Sequence, residues 1–391
     1  MEKRRCMAAP TTSKSATLDR AVAFVGAVNG YPCRKGGFDA LLNALVPRLI
    51  SEYGWTVTVY VPRSSDWRSR ALTHEVLADG AIRISVPRPK GPIGLVRFLR
   101  LSYADAYASH TGHVLCSLGY TFWPYMTFRH VLRKPRPAMV VNVAGIEWRR
   151  SSLPLWMKAY TYAAARTAKW YADLIVADSR AVGDYYQQHF DARSNYVPYG
   201  PVTSDCAVLR QEERGNYYMV VSRIVRENNL EMIIEGFIGS RTASRLLIVC
   251  PIDVKPYGKI IRGLAATDPR IVLYGPEYDQ DKLLTLRIHA KGYIHGHSLG
   301  GTNPSLVEAM GCGSLVIAHD NVFNREVLGT AGYYFSNAAE LSKVLDDCDL
   351  LGRGSELDVK RMQAMHRVQS EYSWEYVAKQ YNSIFERATK A

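Results

Sequence analysis

The 391 residues are enough for two domains with a core each, and a hydrophobic fraction of 47% without low-complexity tracts or repeats describes an ordinary globular chain. No apolar run reaches the roughly 18 residues that a membrane-crossing helix needs, and the seven cysteines, odd in number and without CxxC spacing, exclude a disulfide framework or zinc ribbon in favour of reduced thiols. The net charge of +13 is uneven: residues 1–200 hold 27 Lys and Arg against 13 Asp and Glu, while residues 201–391 hold 22 against 23. A basic first half suits an anionic membrane surface, a diphosphate substrate or nucleic acid, or it is a solvated face that keeps the chain soluble. No RNA- or DNA-reading motif accompanies it, so a nucleic-acid partner is not expected.

Residues 1–18 are polar and basic, lack the apolar core of a signal peptide, and read as a disordered lead-in. Ala21–Gly26 is a buried-strand run. A glycine-bearing loop, Asn29–Gly37, follows it, and a helical pattern then starts at Phe38 with Leu41, Leu42, Leu45 and Leu49 on one face. Strands are predicted at Thr56–Val61, Arg83–Val86, Val114–Leu118, Met139–Val143 and Leu174–Ala177, with a helix over Trp156–Tyr171. Between them, Gly119–Phe128 is aromatic and charge-free and is followed by Arg129, Arg133, Lys134 and Arg136, a composition that suits either core packing or a lipid headgroup. Val197–Pro201 breaks the alternation and reads as an interdomain linker.

A second alternation begins after it. Strands are predicted at Tyr217–Val221, Arg245–Val249, Ile271–Tyr274, Gly292–Ile294 and Ser314–Ile317, with helices at Leu230–Phe237, Lys282–His289 and Pro304–Met310. A last amphipathic helix, Trp374–Arg387, follows the completed second sheet. Strands alternating with helices mean parallel α/β sheets, and two such halves place a ligand in the cleft between them at the strand carboxyl ends. The expected boundaries are 19–198 for the first domain, 202–372 for the second, and 373–391 for a helix returning to the first.

The richest stretch is Tyr293–Met310. A short strand runs into a polar, glycine-rich loop, and a helix starts near Pro304 and Ser305 with Glu308 expected in its first turn. Backbone N–H groups at such a helix start attract phosphate or sugar oxygens. Gly300 and Gly301 let a ligand approach the backbone, and Glu308 can accept hydrogen bonds from ligand hydroxyls. His295 and His297 flank the loop, where a hydrogen-bonding role is expected rather than a metal site, since no carboxylate or Cys stands at ligand spacing. Asn324, Arg325 and Glu326 precede a helix and are candidates for reaching the ligand or capping that helix.

The segments Lys35–Asp39, Asn142–Arg150, Ala177–Ser179, Val197–Gly200, Tyr217–Asn229, Tyr293–Met310 and Phe323–Val327 run in order along most of the chain. Together they resemble the retaining glycosyltransferases of the GT-B fold, family 4. More narrowly, they are similar to the bacterial branch that adds L-rhamnose from dTDP-L-rhamnose to a polyprenyl-diphosphate-linked saccharide in cell-surface polysaccharide synthesis. The resemblance implies two facing Rossmann-like domains and a retaining transfer that forms a β-1,4 linkage. It implies a dTDP-sugar donor without a metal or other cofactor, and a cytoplasmic protein peripheral on the inner face of an anionic membrane. It assigns Arg223 to the donor diphosphate, and Asn228, His297, Gly300, Gly301, Thr302, Asn303, Pro304, Ser305 and Glu308 to the donor site. Glu308 would hold the nucleotide ribose. Gly36, Gly37 and Phe38 would border the cleft from the first domain.

Three positions depart from the resemblance. Gly300 stands where the broad family has the first acid of its E-x7-E pattern, which fits a deoxysugar with fewer hydroxyls. Asn228 stands where Lys is common. Ala144 stands where the branch carries an Asp that would orient or deprotonate the acceptor hydroxyl, and Glu147 is the carboxylate left to replace it. Rival readings are a transferase using a UDP- or GDP-sugar, and a non-catalytic nucleotide-sugar or glycan-binding protein.

Overall fold

The computed structural model describes residues 20–27, 29–32, 37–64, 68, 71–109, 113–119, 136–143, 145–151, 153–201, 214–251, 256–351 and 356–390. The polar lead-in, Gly36, the aromatic and basic stretch over 120–135, and Ala144 lie outside them.

The first domain contains β1 (Ala21–Val25), α1 (Gly37–Ser51), β2 (Thr56–Arg63), β3 (Thr73–Val76), β4 (Ile82–Pro87) and α2 (Pro92–Ser109), then β5 (Val114–Leu118), β6 (Ala138–Val143), α3 (Leu155–Tyr171), β7 (Leu174–Ala177), α4 (Arg180–Phe190) and the two-residue β8 (Asn195–Tyr196). Its sheet runs β3-β4-β2-β1-β5-β6-β7-β8, and every pairing is parallel except the edge hairpin of β3 and β4. Central strands such as β1 and β5 are buried along their whole length, as strands covered on both faces must be.

The second domain contains β9 (Tyr217–Val221), α5 (Leu230–Gly239), β10 (Arg245–Val249), α6 (Pro256–Ala265), β11 (Ile271–Gly275), α7 (Gln280–His289), β12 (Gly292–His295) and α8 (Pro304–Gly311). These are followed by β13 (Val316–His319), α9 (Val322–Leu328), β14 (Tyr333–Phe335), α10 (Ala338–Leu350) and α11 (Glu356–Glu371). All five strand pairings are parallel, in the order β11-β10-β9-β12-β13-β14. That is the doubly wound order, with the switch point between β9 and β12. The first sheet has the same switch between β1 and β5.

The structure differs from the sequence expectation in places. β13 starts at Val316 rather than Ser314; the Ser314 N–H is still bonded back to Ala309 at the end of the preceding helix, at 3.0 Å. Helices α2, α4, α6, α10 and α11 and strands β3, β8 and β14 add to the predicted set.

The last helix, α12 (Trp374–Ala388), leaves the second domain and packs on the first. Val377, Ala378, Tyr381, Ile384, Phe385 and Ala388 recur at helical spacing, which gives one apolar stripe. That stripe is buried beside α1 in the cluster holding Val22, Phe24, Leu42 and Trp55. Polar ties fix its rotation: Asn142 donates to the Tyr381 hydroxyl at 2.6 Å, and the Trp55 indole donates to Asn382 at 2.7 Å. At Gly200 any side chain would strike the Trp374 ring, since an added Cβ would stand 2.7 Å from it.

Among the described residues the tryptophans (55, 148, 156, 170 and 374) belong to the first domain or to α12, and Trp67 and Trp123 precede Pro201 in the sequence, so tryptophan fluorescence reports on that part of the chain. Phe385→Ala removes a ring in edge contact with Phe24 and Trp55. It should destabilise the fluorescence-detected unfolding transition by about 3–5 kcal/mol in urea titrations. An unchanged midpoint would mean that α12 is not part of the first domain's cooperative unit.

Candidate functional site

In parallel sheets the loops after the strands gather at one edge, and the two switch points open there. Both domains turn that edge toward each other. The space between them is a cavity of about 420 Å³. The first domain contributes Gly37 and Phe38 from the start of α1, Glu147 and Arg150 after β6, Asp178 after β7, and Tyr199. The second contributes Arg223 and Asn228 after β9 and the run from His297 to Pro304, without Ser298, after β12.

The loop after β12 is built as an open helix entrance. Asn303 caps α8, accepting from the Ser305 N–H at 3.1 Å and the Ser305 hydroxyl at 2.9 Å, and Pro304 fills the first helical position, where no N–H is needed. Gly300 has φ +150°, a backbone that other residues rarely adopt, and no atom lies within 4 Å of where its Cβ would be. A ligand can therefore reach its backbone. At Gly301 the reason for glycine is different. A Cβ there would lie 1.8 Å from Asp178 Oδ1, so what approaches this backbone is the carboxyl of the other domain.

Glu308 lies in the second turn of α8, not the first, and is buried in an ion pair with Arg287 of α7. It is not among the residues lining the cavity. Ser305 also stays outside the lining, engaged with its cap.

One wall of the cavity is cationic. Arg223 and Arg150 come from opposite domains, and both face His297, whose imidazole burial and these two cations push down to about 3. His297 is therefore neutral at physiological pH, and its Nδ1 has no partner among the described residues. Arg150 is oriented by Glu147, which accepts from its Nε at 2.6 Å and from Nη2 at 2.8 Å. Glu147 thus meets the cavity as half of an ion pair. Asn228 is buried, and its amide donates to the Arg223 carbonyl at 2.9 Å, which fixes the turn that carries the arginine.

The opposite wall carries the domain seam. Thr302 donates its hydroxyl to the Asp178 carbonyl. Glu326 of α9 sits on the N-terminus of α4, accepting from the Arg180 N–H at 2.6 Å, the Ala181 N–H at 3.0 Å and the Ser179 hydroxyl at 2.7 Å. A carboxylate is the natural occupant of a helix start. Ser151 donates to Glu227 at 2.7 Å across the cleft, and Phe323 of α9 joins the first domain's core cluster.

Several expected residues go elsewhere. Asn324, Arg325 and Glu326 lie within α9 rather than before a helix, and Asn321 is its cap. Asn324 donates to the carbonyls of His297 at 2.9 Å and His319 at 2.8 Å, and so braces the loop from behind. Arg325 is exposed, paired with Asp320 at 2.5 and 2.6 Å, and stacked on Tyr334 away from the cavity. His295 makes no hydrogen bond from either ring nitrogen among the described residues. It stacks on His297 with ring centroids 4.4 Å apart. Arg150, Asp178 and Tyr199 were not singled out from sequence. The available signal was a polar residue directly after a buried strand, as Asp178 is after Leu174–Ala177. Among the described residues no group of three or more His, Cys, Asp or Glu could hold a metal ion.

Residues 20–202 match a family described as a domain of unknown function, DUF1972. No curated protein matches the chain by sequence. Solved structures resemble it over nearly its whole length. Sucrose-phosphate synthase from Thermosynechococcus elongatus superposes with a TM-score of 0.72 at 16% identity, covering 94% of this chain and 98% of that one. Anabaena HepE in complex with UDP gives 0.69 at 14% identity, covering 94% and 100%. The catalytic domain of Arabidopsis thaliana starch synthase IV, bound to ADP and acarbose, gives 0.67 at 12%, covering 95% and 99%. The fold is GT-B. Within a GT-B frame the cavity described above is the interdomain cleft, and both domains contribute to its lining.

The buried Arg287–Glu308 pair should hold α7 to α8 beneath the loop. Arg287→Ala removes the buried cation paired with Glu308 and should destabilise the second domain by about 3–5 kcal/mol, read by circular dichroism at denaturant concentrations where tryptophan fluorescence is still native. Unaltered stability would mean that the carboxylate finds water instead.

Proposed function

We propose that the chain is a glycosyltransferase that takes its sugar from a nucleoside-diphosphate sugar bound in the interdomain cleft. The observation that carries this reading is the convergence of Arg223 and Arg150, from opposite domains, on one cavity at the strand carboxyl ends. Guanidinium groups bind phosphate oxygens in a fork and keep their charge. Arg150 is already held by Glu147, and a diphosphate in the same cavity can bind Arg223 and the remaining N–H groups of Arg150 together. The HepE structures are complexes with UDP and with UDP-glucose, which favours a nucleotide sugar in a cleft of the same fold.

The donor is dTDP-L-rhamnose in this reading, supported by Gly300, where open space replaces a side chain that could hold a further hydroxyl. A UDP-sugar is the second reading, favoured by the HepE complexes. During transfer the acceptor hydroxyl attacks the anomeric carbon on the face that the diphosphate leaves, the carbon–oxygen bond to the diphosphate breaks and the hydroxyl proton passes to the departing phosphate oxygen, so the configuration is retained. Arg223, Arg150 and the backbone N–H groups at the start of α8 stabilise the charge that develops on the leaving group. Glu147 serves by holding Arg150 in place.

The acceptor is a polyprenyl-diphosphate-linked saccharide, which requires the chain to work at a membrane surface. Helix α3 supports this. Leu155, Trp156, Tyr162 and Trp170 are exposed on it, with Trp156 at 67%, and the exposed cations Arg166 and Lys169 lie among them. Apolar rings interleaved with cations suit an anionic bilayer interface.

Titration with free nucleotides should show dTDP binding more tightly than UDP or GDP. Arg223→Ala and Arg150→Ala should each weaken that binding by about 1.5–3 kcal/mol, the scale of hydrogen bonds to charged groups. Equal affinities for the three nucleotides would remove the dTDP assignment, and unchanged affinity in both folded variants would remove the diphosphate from this wall. Vesicle binding should rise with anionic lipid, fall with salt because charge is screened over about 8 Å at physiological ionic strength, and weaken in Trp156→Ala with Trp170→Ala. Binding that ignores both lipid charge and the tryptophans would leave α3 with no membrane role.

A further inference from the structure

Besides the two arginines, the cavity lining holds Asp178 at the domain seam. This residue is 5% exposed, and its Oδ1 is a buried oxygen without a hydrogen-bond partner among the described residues. That oxygen is packed on the Gly301 backbone, and a buried polar atom in that state is costly; the carboxyl as a whole still lines the cavity, where a ligand can meet it. Its surroundings are organised to keep it there. Gly301 is bare, so that the carboxyl can lie against the loop after β12, and Thr302 donates to the backbone carbonyl of the same residue. Next to Gly301, Gly300 leaves open space in the cavity that Asp178 lines.

The chemistry of this corner selects its ligand. A phosphate finds no cation at this corner, while Arg223 and Arg150 offer it one elsewhere in the same lining. A neutral group that can both donate and accept hydrogen bonds fits, and sugars present such groups as hydroxyls. We infer that Asp178 is the first domain's sugar-reading residue, holding a hydroxyl of the bound sugar against the Gly300–Gly301 loop. This inference rests on the glycosyltransferase reading of the cleft. It adds that the sugar subsite is shared between domains and is complete only when Asp178 and Gly301 are in contact.

The protonation state supports this role. Burial, followed by the nearby charges of Glu326 and Glu147, pushes the Asp178 carboxyl up to about 8. The phenols of Tyr199 and Tyr381 also face it. At neutral pH the group is therefore an uncharged acid that can donate as well as accept. Above about pH 8 it ionises beside two carboxylates and loses its donor.

The test compares nucleotide sugars with their own nucleoside diphosphates, using dTDP-L-rhamnose with dTDP and UDP-glucose with UDP, on the full chain by calorimetry. Asp178→Ala should lower affinity for the preferred nucleotide sugar about tenfold, the scale of one hydrogen bond, and leave affinity for the free diphosphate unchanged. Gly301→Ala, which displaces the carboxyl without altering it, should reproduce that loss. In the wild-type chain the extra affinity for the sugar should vanish as pH rises through about 8, whereas Asp178→Asn should hold it constant with pH. If donor affinity is intact but KM for the saccharide acceptor rises in both variants, the hydroxyl held is the acceptor's and the residue's role stands. If neither donor affinity nor acceptor KM changes while free diphosphates bind normally, the assignment of Asp178 is overturned alone. Failure of dTDP, UDP and GDP all to bind the wild-type chain would overturn the cleft reading and this inference with it.

Discussion

The loop after β12 can lie against the end of β7 only because residue 301 is a glycine, and much else follows from that contact with Asp178. A single methyl group at residue 301 would collide with the carboxyl. Because none is there, the loop after β12 can lie against the end of β7, and the ends of the two parallel sheets come within reach of each other. Thr302, Glu326 and Ser151 then find partners across the seam, and Phe323 finds a place in the opposite core. The interdomain contacts named here are mostly polar and sit at element ends. They resemble the contacts of a surface that opens and closes more than those of a fused core.

The same approach divides the cavity by charge. Arg150 and Arg223 both act on a neutral His297 in the same lining. Asp178 lines the cavity at the domain seam. A ligand that carries a diphosphate at one end and hydroxyls at the other matches both walls at once. The Glu147–Arg150 pair shows how a carboxylate in such a place can serve without touching a substrate proton: two hydrogen bonds fix the direction in which the guanidinium points.

Sequence patterns exposed the architecture and much of the second domain's wall. The buried runs at Val22–Val25 and Tyr217–Val221, the leucine stripe of α1 and the stripe of α12 are local signals, so they could be read without the fold. The glycine-rich loop and Arg223 were legible because they follow strands directly. Asp178 also follows a strand directly, but its role and that of Arg150 depend on what the opposite domain places against them, which no local pattern records. Glu308 and Arg325 look like ligand-facing groups in sequence, yet each has a nearby charge that takes it first: Arg287 one helix away and Asp320 in the preceding loop. Strand β3 was missed because its four residues are all exposed and carry no hydrophobic alternation.

Diffraction from crystals grown with a nucleotide sugar tests the central claim most directly. The diphosphate should lie between the guanidinium groups of Arg223 and Arg150, with the sugar directed toward Asp178 beneath Gly300. A diphosphate bound wholly within the second domain, with Arg150 turned away on Glu147 and the sugar remote from Asp178, would contradict it.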